Sequence, residues 1–350
     1  ATPTAIIVGT GKGAENNILI KNSEALEKVG SLKAIVFDKT GTLTKGSPEV
    51  TDIISLREDK ENEVLLMAAL AEKGSEHPLG EAIIRKAENL NMVIPEADRF
   101  EAVPGKGVIV KAQDREIILG NKKLLSEKGV EISDLKTQAE KLENEGKTTI
   151  FISLNSKLIG LIAVTDLIKE NAQKVIGELK AMGLEVYLIT GDNKKTAEAV
   201  GKKLKITEVL AEVLPGDKAD KIKEIQEEGK DVAMVGDGIN DAPALARANV
   251  GIALGSGTDV AIETGDIVLV RNDLRDVLGA IKLSLKTMKK IKQNLFWAFF
   301  YNSAGIPIAA GVFYPFFRVL LKPEFAALAM ALSSVSVITN SLLLKRFKPS

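Results

Sequence analysis

The sequence predicts an α/β protein: a doubly wound parallel sheet, split by an inserted antiparallel-sheet α+β domain and followed by a C-terminal helical hairpin. Three observations lead there. The apolar run Ala34-Ile35-Val36-Phe37 ends in Asp38 and a Gly/Thr turn, the pattern of a buried parallel strand that delivers a carboxylate to its carboxyl end. From Asp166 onward helix and strand patterns alternate, which makes a parallel sheet covered by helices. Two runs, 293–317 and 325–344, carry no charged side chain and are each long enough for a bilayer-spanning helix.

Composition narrows the chemistry. At 350 residues there is room for two or three domains. The 47 basic residues balance 47 acidic ones, so net charge advertises no surface for a polyanion and nucleic acid is not an expected partner. With no cysteine and one histidine, His77, disulfides, thiolate metal sites and histidine-based metal centres are excluded. No secretory signal pattern opens the sequence.

Taken in order, the chain begins with Ala5-Ile6-Ile7-Val8 and Gly9-Thr10-Gly11-Lys12-Gly13. The spacing before Lys12 is wrong for a phosphate loop, and no Ser or Thr follows it. Asp38 is the candidate attacking group, since a carboxylate is a competent nucleophile toward phosphorus once cations neutralise the approaching oxygens. Many phosphatases with an aspartate at a strand end place a second aspartate two residues on, as acid and base. Here that residue is Thr40, so an aspartyl phosphate is expected to persist.

Ser47-Pro48 is expected to break the structure. Helical spacing follows over Glu61–Lys73 and after Pro78, then strands near Val108–Ala112 and Glu116–Leu119, helices at Lys122–Glu127 and Ile132–Glu145, and strands at Thr148–Leu154 and Leu158–Val164. Beyond them, helices Glu170–Met182, Thr196–Leu204 and Lys218–Glu228 feed strands Glu185–Ile189, Glu208–Ala211 and Asp231–Val235. The strand before Asp38 belongs to this second set, so the inserted domain splits the catalytic one.

The loops after these strands carry the chemistry. In Thr190-Gly191-Asp192-Asn193 a hydroxyl and backbone amides suit phosphoryl oxygens. Lys218 supplies a compact positive charge that favours an ionised Asp38. The carboxylates of Gly236-Asp237-Gly238-Ile239-Asn240-Asp241 suit a hard cation, and Asp38, Asp237 and the Thr40 carbonyl make an adequate set for Mg²⁺. Alone, a Thr-Gly-Asp is usually a helix cap and a lysine a solvated helix start. Their order, each after an expected strand, favours the functional reading. Gly255–Thr258 and Glu263–Asp266 read as turns.

The string Asp38-Lys39-Thr40-Gly41-Thr42-Leu43-Thr44 resembles the phosphorylation motif of P-type ATPases, members of the haloacid dehalogenase-like superfamily with a Rossmann-like catalytic domain. The resemblance implies that Asp38 is phosphorylated with Lys218, Thr190 and Asp192 as catalytic partners. Thr40, Gly191, Asn240 and Asp241 would contact phosphate. Ser75-Glu76-His77-Pro78-Leu79 resembles the His-Pro motif of the heavy-metal members. By that likeness Glu72, His77, Gly105, Gly107, Gly120 and Asn121 are expected to bind ATP, the imidazole stacking on adenine and the carboxylate accepting from its exocyclic amine.

Lys282, Lys286, Lys289, Lys290 and Lys292 precede the first uncharged run, and Lys345, Arg346 and Lys348 follow the second. Both outer flanks are therefore expected on the cytoplasmic side, with Trp297 and Tyr314 as interface anchors. A buried soluble helical hairpin is the alternative. Polar groups within such spans are candidates for function: Tyr301, Asn302, Met330 and Ser334, together with Ser333 and Asn340. A methionine thioether suits Cu(I), and Tyr-Asn followed by Met-x-x-Ser-Ser resembles the copper-transporting class. Interhelical packing by Ser and Asn is the competing explanation.

The resemblance implies the ATP-hydrolysing core of a Cu(I)-exporting pump, using Mg²⁺ and ATP. It would be an integral membrane protein with cytoplasmic catalytic domains, partnered by the lipid bilayer and by the rest of the pump. Expected divisions are a membrane-helix extension (1–30), the phosphorylation domain (31–51 and 165–280), the nucleotide domain (52–164), and a basic linker with two spans (281–350). The Cys-Pro-Cys gate and the Thr-Gly-Glu actuator loop of the family do not occur in this sequence. The chain is therefore expected to bind ATP without pumping alone. Other readings are a pump for Ag(I) or Zn(II), a non-pumping ATP-binding fragment, or a soluble phosphatase of the same superfamily.

Overall fold

The computed structural model describes residues 2–58, 60–75, 77–192, 194–237, 241–255, 263–312, 314 and 323–348. Its helices in chain order are α1 (Thr2–Ala14), α2 (Ser23–Lys28), α3 (Glu61–Glu72), α4 (Pro78–Asn89), α5 (Lys122–Glu127), α6 (Lys136–Asn144), α7 (Ala172–Ala181), α8 (Lys194–Leu204), α9 (Lys218–Glu227), α10 (Ala242–Arg247), α11 (Leu274–Ala309) and α12 (Pro323–Leu342). Its strands are β1 (Ile18–Ile20), β2 (Ala34–Asp38), β3 (Thr44–Ser55), β4 (Arg99–Val103), β5 (Gly107–Ala112), β6 (Arg115–Gly120), β7 (Thr148–Leu154), β8 (Lys157–Ile168), β9 (Glu185–Ile189), β10 (Glu208–Leu210), β11 (Val232–Gly236), β12 (Val250–Leu254) and β13 (Ile267–Leu269).

The chain divides into two compact units, one of residues 1–38, 174–186 and 215–350, the other of 39–173 and 187–214. In the first, strands follow the order β1-β13-β12-β11-β2, and β9, whose first two residues belong here, comes next to β2. β2, β11, β12 and β13 run parallel, and β1 closes the edge antiparallel to β13. Every residue of β2, β11 and β12 is buried. That burial on both faces explains why these strands read as unbroken apolar runs rather than alternations. β1, β12 and β13 extend the sheet beyond the elements that periodicity marks out. The side chain of Asp266, expected in a turn, accepts from the Gly251 amide at 2.9 Å and so fastens β12; 256–258 lie outside the described residues.

The second unit holds a six-stranded antiparallel sheet in the order β3-β8-β7-β6-β5-β4. One core packs α3 and α4 against it around Leu65, Ile83 and Val110, and another packs α5 and α6 around Leu125, Leu142 and Phe151. The end of β9 pairs in parallel with β10, Tyr187 opposite Glu208. This unit reaches past the boundary expected at 164 because α8 packs on α6: Lys203 donates to the Glu145 carbonyl at 2.9 Å, and a Cβ at Gly146 would lie 3.1 Å from Ala199. Pro48 does not break the structure. It lies within β3, at the sheet edge and at a shift of register between Thr44 and Pro48, where a missing backbone N–H costs no ladder bond.

The glycine-rich opening is helical, which removes any phosphate-loop reading of Lys12. Gly9 and Gly13 let α1 lie close to its neighbours, since a Cβ on Gly9 would come within 2.7 Å of Thr287 Oγ1 in α11. α11 begins at Leu274, well before the span expected at 293, and takes in the lysines that precede it. Asn294 and Ser341 are fully buried where α11 meets α12: Asn294 donates to Ser341 at 2.8 Å, Asn340 donates to Asn294 at 2.8 Å, and Lys290 donates to Asn340 at 2.7 Å. Asn340 thus serves the interhelical contact. Among the described residues no helix is both long enough and apolar enough to cross a membrane. The segment 315–322, inside the expected hairpin, lies outside the described residues.

Phe151 is wholly buried in the core between β7 and the helices α5 and α6. Phe151→Ala is expected to cost about 3–5 kcal/mol of stability, read as a lower urea midpoint with an unchanged slope.

Candidate active site

β2 and β11 lie in parallel register with Phe37 opposite Val235, which brings Asp38 level with Gly236 and places Asp237 one residue beyond. Both carboxylates therefore emerge at the carboxyl edge of the sheet. Asp38 is 5 % exposed, Lys218 7 % and Asp241 1 %. The Lys218 ammonium, from the first turn of α9, donates to Asp38 at 2.7 Å and to Asp241 at 2.6 Å. Gly236 makes room for this, because a Cβ there would lie 2.9 Å from the Asp241 carboxyl carbon.

Burial pushes the Asp38 carboxyl up to about 7; the Asp241 charge adds to it, Lys218 opposes it, and Asp237 adds further. Asp241 is raised as well, by burial first, against the pull of Lys218. Burial draws the Lys218 ammonium down, but the two carboxylates outweigh it and hold it above the ordinary lysine value. The result is a cluster in which one ammonium is bonded to two buried carboxylates while Asp237 adds further negative charge to both. That surplus of negative charge fits Mg²⁺, which needs only one or two carboxylates, completed by phosphate and water. Among the described residues no group of three or more His, Cys, Asp or Glu side chains is placed to hold a metal ion, so phosphate and water oxygens would have to complete any Mg²⁺ shell here. Asn240 lies outside the described residues.

The second unit carries the other phosphate candidates. Thr190 is buried, its N–H bonded to Leu210 and its hydroxyl accepting from the Asp192 amide at 3.1 Å. Asp192 takes an ion pair from Lys39, the residue after Asp38, at 2.5 Å. Thr40 has extended backbone angles (φ −76°, ψ 126°) before the turn at Gly41. Thr44 donates to Asp166 at 2.5 Å, and Asp166 also accepts from the Gly46 amide at 3.0 Å. Lys39 and Asp166 were not singled out from sequence. The charge of Lys39 inside the seven-residue string was an available signal; nothing local marks Asp166, whose partner is 122 residues away.

All six expected nucleotide residues line one cavity of about 380 Å³ in the second unit. Gly107 and Gly120 are cross-strand partners in β5 and β6. A Cβ on Gly107 would lie 2.5 Å from the Gly120 Cα and strike the Leu119 carbonyl, so only bare backbone fits. Asn121 caps α5 by accepting from Leu124 at 3.0 Å, and its amide donates to the Gly105 carbonyl at 3.1 Å, tying the 104–107 turn in place. His77 both lines the cavity and caps α4: Nδ1 accepts from the Leu79 amide at 3.2 Å, which puts the ring proton of the neutral form on Nε2.

Glu72 is 6 % exposed, and its Oε2 is buried without a hydrogen-bond partner among the described residues. Burial raises its carboxyl, with Ser75 and His77 opposing. Such an oxygen, costly to bury unpaired, suits a donor brought by a ligand. Ser75, Thr148 and Thr149 also line the cavity and were not expected.

The copper candidates are less assembled. Tyr301 stacks in an aromatic ladder, 6.1 Å from Trp297 and 6.3 Å from Phe300. Asn302 and Ser334 are exposed, and the Met330 side chain lies outside the described residues.

A parallel sheet whose strand ends present Asp38 and Asp237, with a lysine between carboxylates, is the kind of site an α/β hydrolase builds at its sheet edge. Residues 32–249 match the haloacid dehalogenase-like hydrolase family, and the chain belongs to it. Within that family the chain is a P-type ATPase of the heavy-metal branch. It is 54 % identical over its full length to the probable copper-exporting P-type ATPase of Archaeoglobus fulgidus, of which it spans 43 %. The catalytic domain of the CPx-ATPase CopB-B matches over 78 % of this chain and 98 % of its own, at 31 % identity and a TM-score of 0.63. A zinc-transporting PIB-type ATPase in the E2.Pi state superposes with a TM-score of 0.85 at 35 % identity, over 99 % of this chain and 55 % of its own. The chain thus spans less than half the length of its copper-exporting relative.

Because the folded-state value of Asp38 lies above the ordinary carboxylate value, its contribution to stability is full below about pH 4 and is lost as pH rises through about 7. In Mg²⁺-free buffer Asp38→Asn is therefore expected to raise the melting temperature by several degrees at pH 8, with no difference at pH 4. Thermal melts across that range check it.

Proposed function

We propose that this chain is the ATP-hydrolysing core of a copper(I)-exporting P-type ATPase, in which Asp38 takes the γ-phosphoryl group of ATP. The observation that carries the reading is the buried bridge from Asp38 through Lys218 to Asp241 at the carboxyl edge of the parallel sheet. An Asp38 oxygen attacks the γ-phosphorus, the bond from that phosphorus to the β–γ bridging oxygen breaks, and ADP leaves with the electron pair. Lys218 offsets the charge that gathers on the phosphoryl oxygens and opposes the rise that burial imposes on the nucleophile's carboxyl. Thr190, Gly191, Asn240 and Asp241 orient the group, with Asp192 holding Lys39. Asp38, Asp237 and the Thr40 carbonyl would hold Mg²⁺, which would supply neutralisation of the phosphoryl charge. Thr40 cannot act as the acid or base that would hydrolyse the acyl phosphate at once, so the intermediate lasts long enough to drive a conformational cycle.

The cavity at Glu72 and His77 seats the adenosine. Glu72 Oε2 accepts from the exocyclic amine, the His77 ring stacks on the base, and Gly105, Gly107, Gly120 and Asn121 offer backbone to the sugar. For the cargo, Tyr301, Asn302, Met330 and Ser334 are the copper ligands of this reading. The uncharged runs 293–317 and 325–344 are its spans in the bilayer, with the catalytic units on the cytoplasmic side. Support comes from the copper-exporting relative and from the absence of charge in both runs. The actuator domain and gate complete the pump from outside this chain.

Incubation with [γ-³²P]ATP and Mg²⁺ is expected to give an acid-stable, hydroxylamine-labile phosphoprotein that Asp38→Asn abolishes. In vesicles carrying the entire pump, Cu(I) accelerates its turnover. Label that survives Asp38→Asn removes the nucleophile, and turnover stimulated by Zn²⁺ rather than Cu(I) removes the copper assignment.

A further inference from the structure

A second cavity, of about 530 Å³, adjoins the nucleotide cavity within the same unit, and Asn121 and Thr149 line both. Four lysines face it: Lys122 and Lys123 at the start of α5, Lys194 and Lys195 at the start of α8. Only two carboxylates on its lining oppose them. Glu143 pairs with Lys122 at 3.0 Å while its other oxygen accepts from Thr149 at 2.7 Å; the second is Glu212. Lys194 has a loose partner in Glu198 at 3.9 Å. In a chain whose charges balance overall, this is a local excess of cations.

We infer that this lysine groove binds the polyphosphate tail of the nucleotide whose adenosine occupies the neighbouring cavity. The inference rests on the nucleotide reading of the Glu72 and His77 cavity and extends it. At about 380 Å³ that cavity is at the small end for ligand sites. It suits a nucleoside better than a whole triphosphate, so the tail must leave it.

The exits past Asn121 and Thr149 lead to the lysines. Glu212 also lines the groove; its N–H donates to the Asp192 carbonyl at 2.9 Å, and Asp192 pairs with Lys39, the chain neighbour of Asp38. The groove therefore tracks from the base site toward the loop next to the phosphorylated residue. Exposed ammonium groups attract a polyanion without fixing it rigidly, as a tail that must pass its terminal phosphoryl group onward requires.

The test is calorimetric titration of the whole chain with ATP, ADP, AMP and inorganic tripolyphosphate in Mg²⁺-free buffer, which prevents turnover. Wild type is compared with Lys123→Gln/Lys195→Gln and with Lys123→Arg/Lys195→Arg. The glutamine pair is expected to weaken ATP roughly tenfold and ADP less, and to leave AMP within about twofold, which also reports an intact fold. The arginine pair retains ATP affinity, and tripolyphosphate competes with ATP in wild type and in the arginine pair but not in the glutamine pair. Equal loss for ATP and AMP, or no loss for either, overturns the groove while leaving the base site standing. Lysine-dependent tripolyphosphate binding that does not compete with ATP reveals a free-anion site and overturns the proposal. No binding of AMP to wild type removes the nucleotide reading, and the groove's role with it.

Discussion

The structure depends on one charged contact placed where water is scarce: the Lys218 ammonium held between Asp38 and Asp241. Two carboxylates at the end of a parallel sheet repel each other and lose hydration, and both effects resist ionisation. The single ammonium offsets only part of this, so Asp38 sits near the middle of the physiological range instead of at the ordinary carboxylate value. Such a site is short of positive charge. On the proposed function a magnesium nucleotide would bring it, and the carboxylate would ionise where its partner arrives.

The inserted unit meets a different constraint. The cavity proposed for the nucleotide offers hydrogen-bonding edges without side chains in the way, because Gly107 and Gly120 pair across two strands so closely that no Cβ fits. Around that bare backbone, polar side chains hold the structure and remain available to the ligand. Asn121 caps one helix and ties the 104–107 turn; His77 caps another; Glu72 keeps an oxygen unpaired beside Gly80, where a Cβ would lie 2.9 Å from its carboxyl carbon. At position 77 a helix cap and a place on the cavity wall go together, because capping is what fixes the ring.

Much of this was legible in the sequence where local pattern carries the information. The strands Thr148–Leu154 and Glu185–Ile189 and the helix Lys122–Glu127 occur at the expected residues, because burial on one or two faces writes a period into the chain. Asp38 and Lys218 were identifiable from residue type and place after a strand. What escaped depends on distant parts of the chain. Pro48 reads as a breaker until β3 is seen to lie at an edge with a register shift. The three-residue strands β1 and β13 are too short to show a period. The Asp166–Thr44 and Asn294–Ser341 bonds join positions far apart in sequence. The assignment of α8 to the inserted unit follows from packing against α6, which no motif announces.

The central claim is that Asp38 is a buried carboxyl short of positive charge, which a metal-bearing phosphate would relieve. A ¹³C-detected titration of the aspartate carboxyls, with Asp38→Asn to assign the signal, measures this directly. The account predicts an apparent value near 7 for the Asp38–Asp241 cluster without metal, falling when Mg²⁺ is added. An Asp38 carboxyl that titrates near 4 and does not respond to Mg²⁺ would contradict it.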